Sequence, residues 1–180
     1  MDFMDRNFKE IFAAQLLAII GFLVAGSLLA FYTEKLLLIP GMLILIPGFL
    51  EMRGNISGTL AARLSSGLFL GVIDPTKRKT RAIHGNLLAS FILSIVVCLA
   101  LGLIAFALSF FLFKVYMPKL ILMSLIAGFI SNLIESPLAV VSTLYFYRKG
   151  HDPHNIMGPF VTAVGDVSSI IALLIAMVIV

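Results

Sequence analysis

One carboxylate, Asp166, lies inside the last long apolar segment of the chain. Thr162 precedes it by four residues and Ser169 follows it by three, so all three share one face of a helix. A charged side chain at the bilayer centre costs about 2.5 to 3.5 kcal/mol on insertion scales, so it normally faces water or protein. Oxygen ligands without sulfur or imidazole suit a hard cation such as Mg2+ or Ca2+. We therefore predict a cation site at Asp166, with Thr162 beside it.

A second polar group occurs in the fourth apolar segment. Asn132, Glu135 and Ser136 are spaced three and four residues apart, which places an amide, a carboxylate and a hydroxyl on one helical face. Two interpretations stay open. Glu135 and Asn132 form a second site for a cation or a coupling ion, or Glu135 is protonated or paired with Arg53 or Arg63 and serves helix packing.

Prolines and glycines interrupt the second apolar segment, residues 36–73, at Pro40-Gly41, Pro47-Gly48 and Gly54-Asn55. The pattern predicts a broken helix, and non-helical backbone at membrane depth is tolerated only where it is buried in protein or lines a cavity. Freed carbonyls and helix ends of this kind often coordinate ions. We therefore predict Glu51 and Asn55 as further members of the cation site. The alternative is a kinked packing helix in which Glu51 pairs with Arg53 or reaches the interface.

The residues that follow the predicted break repeat a polar pattern. Asn55, Thr59, Ala62 and Ser66 share one stripe of small or polar side chains. Such a stripe suits either close helix packing or the wall of a water-filled path.

The amino-acid composition indicates that these residues lie in a membrane protein. Hydrophobic residues make up 61% of the 180 and charged residues 12%, against about 25% charged in soluble domains. Five apolar segments approach the roughly 20 residues that a bilayer requires, at 11–32, 36–73, 86–113, 120–147 and 156–180. These features predict an all-α polytopic protein of the cell membrane, a single domain over 1–180 with five transmembrane helices, the second of them broken.

Basic residues predict the orientation of the chain. Cytoplasmic loops carry an excess of Lys and Arg, and here one side of the five-span arrangement holds eight and the other three. The N-terminus is therefore predicted inside and the C-terminus outside. The eight are Arg6, Lys9, Lys77, Arg78, Lys79, Arg81, Arg148 and Lys149, and the three are Lys35, Lys114 and Lys119.

Several classes of function are disfavoured by the sequence. The formal charge of +4 is spread over loops, so nucleic acid is not an expected partner. We recognise no nucleophile triad, paired-cysteine metal site, phosphate-binding loop or dinucleotide fingerprint, and therefore expect neither an enzyme nor a bound cofactor.

Two motifs carry a resemblance to a known family. Residues 54–66, preceded by Pro47, and residues 152–166, which begin Asp152-Pro153 and end at Asp166, resemble the membrane domain of MgtE-type divalent-cation transporters. The version in eukaryotic solute-carrier magnesium transporters and their prokaryotic relatives is the most similar, and the resemblance covers essentially the whole chain. No counterpart of the cytoplasmic regulatory domains of MgtE channels is expected in this sequence.

The resemblance implies a homodimer with a pore on its axis. It makes Asp166 the pore carboxylate nearest a hydrated cation and Asn55 part of the pore or gate lining. Two copies of Asp166 would neutralise Mg2+, which dehydrates reluctantly and usually keeps several waters. We expect transport of Mg2+, with Mn2+ and Co2+ as further candidate ions. The alternatives are an exchanger coupled to Na+ or protons and a non-transporting membrane subunit.

Overall fold

A computed structural model describes residues 2–77 and 80–180, and within them the chain is helical throughout, without a strand. Its six helices are α1 (Asp2–Phe31), α2 (Thr33–Leu37), α3 (Met42–Phe69), α4 (Arg81–Phe113), α5 (Lys119–Arg148) and α6 (Pro153–Ile179). The predicted all-α fold is thereby confirmed. Arg78 and Lys79 of the basic connection lie outside the described residues.

Among the described residues, four helices are long and apolar enough to cross a membrane. They are α4, α5, α6 and the part of α1 from Asp5 to Phe31, and they correspond to four of the five predicted segments. The remaining helix, α3, has 28 residues but is less apolar, because Glu51, Arg53 and Arg63 lie within it. The fifth span and the orientation of the chain stay predictions.

The predicted break of the helix within residues 47–66 is wrong, whereas Pro40 and Gly41 lie in the turn between α2 and α3. Helix α3 runs without a break through Pro47 and Gly54, because a proline removes only one backbone donor and neighbouring helices can compensate for it. The chain turns earlier, at Gly41, between α2 and α3. Gly41 has a φ of +86°, and a Cβ there would lie 2.7 Å from Leu120 and 2.8 Å from Ser109. Only glycine accepts both the positive φ and the close approach.

Helix α3 occupies the centre of the bundle and packs against α4, α5 and α6, whereas α1 packs mainly on α6. Small residues permit the second contact: a Cβ on Gly21 would lie 2.8 Å from the Cβ of Ala163. Two apolar clusters fill the bundle, one around Leu45, Phe49 and Leu120 and the other around Leu64 and Leu144.

Helix α6, which carries Asp166, has a well-defined beginning. The carboxylate of Asp152 accepts a hydrogen bond from the backbone N–H of His154 at 2.9 Å, and Pro153 occupies the first helical position, where no backbone donor is needed. This start sets the register of the helix and therefore the face that Thr162 and Asp166 occupy.

Candidate cation site

A buried ion pair lies between the two apolar clusters. Nη2 of Arg53 on α3 lies 2.9 Å from Oε2 of Glu135 on α5, and the two side chains are 0% and 2% exposed. Nη1 of the same guanidinium donates to the hydroxyl of Ser94 on α4 at 2.8 Å. An isolated charge in such surroundings is very costly, and pairing with complete hydrogen bonding is what makes it tolerable.

Serine hydroxyls complete the environment of the Glu135 carboxylate. Ser57 on α3 donates to Oε2 at 2.7 Å, and Ser168 on α6 donates to Oε1 at 2.8 Å. Ser169 adds a longer contact to Oε1 at 3.4 Å. The network therefore joins α3, α4, α5 and α6 in one layer of hydrogen bonds.

Asn132 belongs to the same layer. Its Oδ1 accepts a hydrogen bond from Ser136 at 2.7 Å and a longer one from Arg53 at 3.4 Å. Within the described residues its buried Nδ2 has no hydrogen-bond acceptor. In the structure the partner of Glu135 is Arg53 rather than Arg63, and a cation site at Glu135 and Asn132 stays a prediction.

Asp166 has a different environment. It is half-buried on α6. Among the residues that the structure describes, no donor supplies its carboxylate with a hydrogen bond. Ser169, which the spacing placed on the same face, is turned instead toward Glu135.

The outward stripe of α3 lies next to Asp166. Glu51, Asn55 and Thr59 are four residues apart and all exposed, and Nδ2 of Asn55 donates to Oε1 of Glu51 at 3.2 Å. The predicted stripe of Asn55, Thr59, Ala62 and Ser66 is exposed along its whole length, and Glu51 extends it.

A glycine brings the stripe against α6. A Cβ on Gly54 would lie 3.4 Å from Cγ2 of Thr162 and 3.5 Å from its Oγ1, so α3 and α6 are in close contact at this level. Thr162 donates its hydroxyl proton to the carbonyl of Gly158 at 3.0 Å, which leaves its oxygen lone pairs free to accept. We call the set Glu51, Asn55, Thr59, Thr162 and Asp166 the α3–α6 polar face.

The polar face offers hard oxygen atoms but not a complete ion cage. In residues 2–77 and 80–180 no three His, Cys, Asp or Glu side chains are placed to share one metal ion. Glu51 and Asp166 are its two carboxylates. This arrangement suits a hydrated cation that a second set of ligands surrounds from the other side.

Sequence reasoning missed most of the buried layer. Ser57, Ser94 and Ser168 were not expected in it, because single serines in apolar helices are common packing residues. One signal was available: the charged Arg53 and Glu135 cannot remain unpaired in an apolar bundle. The choice among possible partners required the helix packing.

Comparison with protein families gives a match over most of the chain. The family model for MgtE, described as a divalent cation transporter, matches residues 46–176. The matched region contains the polar face and the Arg53–Glu135 layer.

Curated relatives lie among the solute carriers. The chain is 29% identical over 163 residues to human solute carrier family 41 member 2, covering 87% of this chain and 28% of that protein. It is 30% identical over 127 residues to the mouse member 2, covering 68% of the chain and 22% of the relative. For the mouse member 3 the identity is 29% over 171 residues, with 88% and 34% covered. The chain thus spans about a third or less of these relatives. No solved structure matches it.

Proposed function

Because the chain belongs to the MgtE family of divalent cation transporters, we propose that it carries Mg2+ across a membrane as a homodimer. The supporting observation is the α3–α6 polar face, which places two carboxylates, the exposed Glu51 and the half-buried Asp166, at the surface of a largely apolar chain. A second copy that packs its own polar face opposite would enclose a path along the two-fold axis. Such a contact uses the same patch on both subunits, as two-fold symmetry requires.

The energetics of Asp166 support this pairing. A carboxylate without a hydrogen-bond donor costs several kcal/mol at bilayer depth and normally faces water or a polar partner. Two Asp166 side chains facing a common aqueous path would be solvated when the ion is absent. When Mg2+ enters, their two negative charges balance its double positive charge.

The other members of the face have roles that follow from their chemistry. Mg2+ keeps most of its waters and uses one or two carboxylates, so the amide of Asn55 and the hydroxyl of Thr162 would hold the waters bound to the ion. Glu51 adds negative charge to the same path. We assign Glu135 and Asn132 to support rather than to ion contact, because Arg53 and the serines occupy the Glu135 carboxylate.

The proposal takes α3 as a fifth membrane span. Its 28 residues extend about 42 Å at 1.5 Å per residue, which exceeds the hydrocarbon thickness of about 30 Å. The polar residues on one side of α3 belong to the buried layer, and those on the other side would line the proposed path. Both are the protected locations in which such residues are tolerated in a membrane.

Mg2+ flux into proteoliposomes of the purified protein tests the proposal. A Mg2+-sensitive dye inside the vesicles would report uptake, with protein-free vesicles as the control. We expect uptake that depends on the protein, and an imposed Na+ or proton gradient would show whether transport is coupled to a counter-ion. The absence of Mg2+, Mn2+ and Co2+ flux with demonstrably folded dimers would contradict the proposal and favour a non-transporting subunit.

A further inference from the structure

A polar cleft separates α3 from the beginning of α4. It consists of two adjoining cavities of about 500 and 240 Å3, and Thr59, Arg63 and Asn86 line both. Ser66 adds a hydroxyl to the larger cavity and Ser90 to the smaller one. The cleft shares Thr59 with the α3–α6 polar face, but neither Thr162 nor the Arg53–Glu135 pair lines it.

Two groups in the cleft lack partners. The side chain of Arg63 is exposed, and among the described residues no carboxylate forms an ion pair with it. Oδ1 of Asn86 is buried and has no hydrogen-bond donor within the described part of the chain, while its Nδ2 donates to the carbonyl of Ala82 at 2.9 Å. The cleft therefore presents a cation without a counter-charge, and an acceptor without a donor lies buried in its wall.

We propose that this cleft binds the headgroup of an anionic phospholipid, with Arg63 on the phosphate and Asn86 Oδ1 on a headgroup hydroxyl. A guanidinium matches phosphate in charge and in its forked arrangement of donors. A hydroxyl supplies the donor that Asn86 lacks, so a phosphoglycerol headgroup satisfies both residues. The apolar walls at Leu60 and Leu93 suit the adjoining lipid chains rather than a free inorganic anion.

The position of the cleft in the bundle agrees with a headgroup. Arg63 lies six residues before the end of α3 and Asn86 five residues after the start of α4, so both are close to the α3–α4 connection. Basic pockets between helices at a membrane surface are typical sites for anionic lipids.

Charge at this end of the bundle favours an anion. Asp74 is engaged locally, since it accepts hydrogen bonds from Thr76 and lies 3.3 Å from the Lys77 ammonium. The Thr76 hydrogen bonds, assisted by Lys77, keep the pKa of Asp74 below its ordinary value, so it stays a local partner of Lys77. Arg81, exposed at the beginning of α4, adds a second positive charge near Arg63.

A consequence for transport rests on the proposed function. Arg63 continues the spacing of Asn55 and Thr59 along α3, so an uncompensated guanidinium would repel a cation that leaves the path. A bound phosphate would offset that charge. Lipid binding can be measured without flux, so failure of the lipid site and failure of the transport proposal are distinguishable.

Native mass spectrometry of the full chain with dioctanoyl phosphatidylglycerol tests the site. Dioctanoyl phosphatidylcholine serves as the uncharged comparison. We expect selective retention of phosphatidylglycerol, reduced about fivefold in Arg63→Gln, as expected for the loss of one basic contact near the membrane. Lys149→Gln removes the same charge from an exposed position beyond the cleft and should retain the lipid.

Three results would overturn the site. The first is that Arg63→Gln and Lys149→Gln lose the lipid equally. The second is that the unaltered chain retains phosphatidylglycerol and phosphatidylcholine equally. The third is that millimolar inorganic phosphate displaces phosphatidylglycerol. If Arg63→Gln fails to fold, Ser66→Leu narrows the cleft without changing charge. It should reduce lipid retention, and unchanged retention would equally contradict the proposal.

Discussion

Glu135 accepts hydrogen bonds from Arg53, Ser57 and Ser168, whereas Asp166 on the adjoining helix accepts none within the described residues. The two carboxylates therefore differ in what they can do. Glu135 is already neutralised and held in position, so it stabilises the bundle. Asp166 retains free lone pairs at the surface of α6, and we infer that it meets the ion.

The Arg53–Glu135 pair leads to a prediction about stability. Glu135→Leu leaves a buried guanidinium without its counter-charge, and we expect a loss of about 3 to 5 kcal/mol in the free energy of unfolding. Arg53→Met should cost a similar amount. The double variant should recover most of the loss, because removing both charges leaves apolar groups of comparable volume.

Unfolding by SDS titration in mixed micelles would measure the free energy of unfolding of the two single variants, the double variant and the unaltered chain, which together form a double-mutant cycle. A coupling energy well above the error of the measurement is expected, since the two residues are in contact. Additive effects of the two single substitutions would contradict the assignment of Glu135 to packing. The double variant should also keep Mg2+ flux, because Asp166 is unchanged.

At the scale of helices, the contact between α3 and α6 determines where the polar side chains meet. Gly54→Ala should be tolerated, because its Cβ would lie 3.4 Å from Thr162. Gly54→Leu should separate the helices, at a cost of about 1 to 3 kcal/mol typical of overpacking, and should strongly reduce flux. Mg2+ uptake by reconstituted variants measures the effect.

Gly26→Leu provides the matched control for the helix contact. Gly26 is exposed on α1, and a Cβ there would meet nothing within 4 Å. It should leave Mg2+ uptake unchanged. Equal uptake by Gly54→Leu and the unaltered protein would show that the α3–α6 spacing has no part in transport.

The helices illustrate what could be read from the sequence. Hydropathy located α1, α4, α5 and α6 to within a few residues at most ends, because a bilayer requires long apolar runs. The break predicted from the proline and glycine pattern failed at Pro47, where α3 continues, because the packing of a helix in a bundle outweighs one lost backbone hydrogen bond. The partner of Glu135 could not be predicted from the sequence either, because Arg53 lies 82 residues away along the chain and Arg63 was an equal candidate.

At the scale of the whole molecule, the proposed ion path requires two copies of the chain. One copy exposes Glu51 and Asn55, and within residues 2–77 and 80–180 it brings no three His, Cys, Asp or Glu side chains together. A two-fold assembly around this face doubles the carboxylates and removes the polar surface from lipid. The proposed pore is therefore a property of the dimer.

Chemical cross-linking tests the assembly. In a Cys98→Ser background, Asn55→Cys should form covalent dimers with a short bifunctional thiol reagent in membranes. Leu103→Cys, exposed on α4, provides the control and should remain monomeric on denaturing gels. Dimers through position 103 but not 55 would place the interface on another face of the bundle.

Mg2+ uptake by proteoliposomes containing Asp166→Asn, beside the unaltered chain, tests the central claim most directly. Asp74→Asn makes the same substitution at a half-buried position outside the membrane-spanning helices and provides the matched control. We predict that Asp166→Asn forms folded dimers but loses Mg2+ uptake, while Asp74→Asn keeps it. Equal uptake by the Asp166→Asn dimers and the unaltered protein would contradict the account.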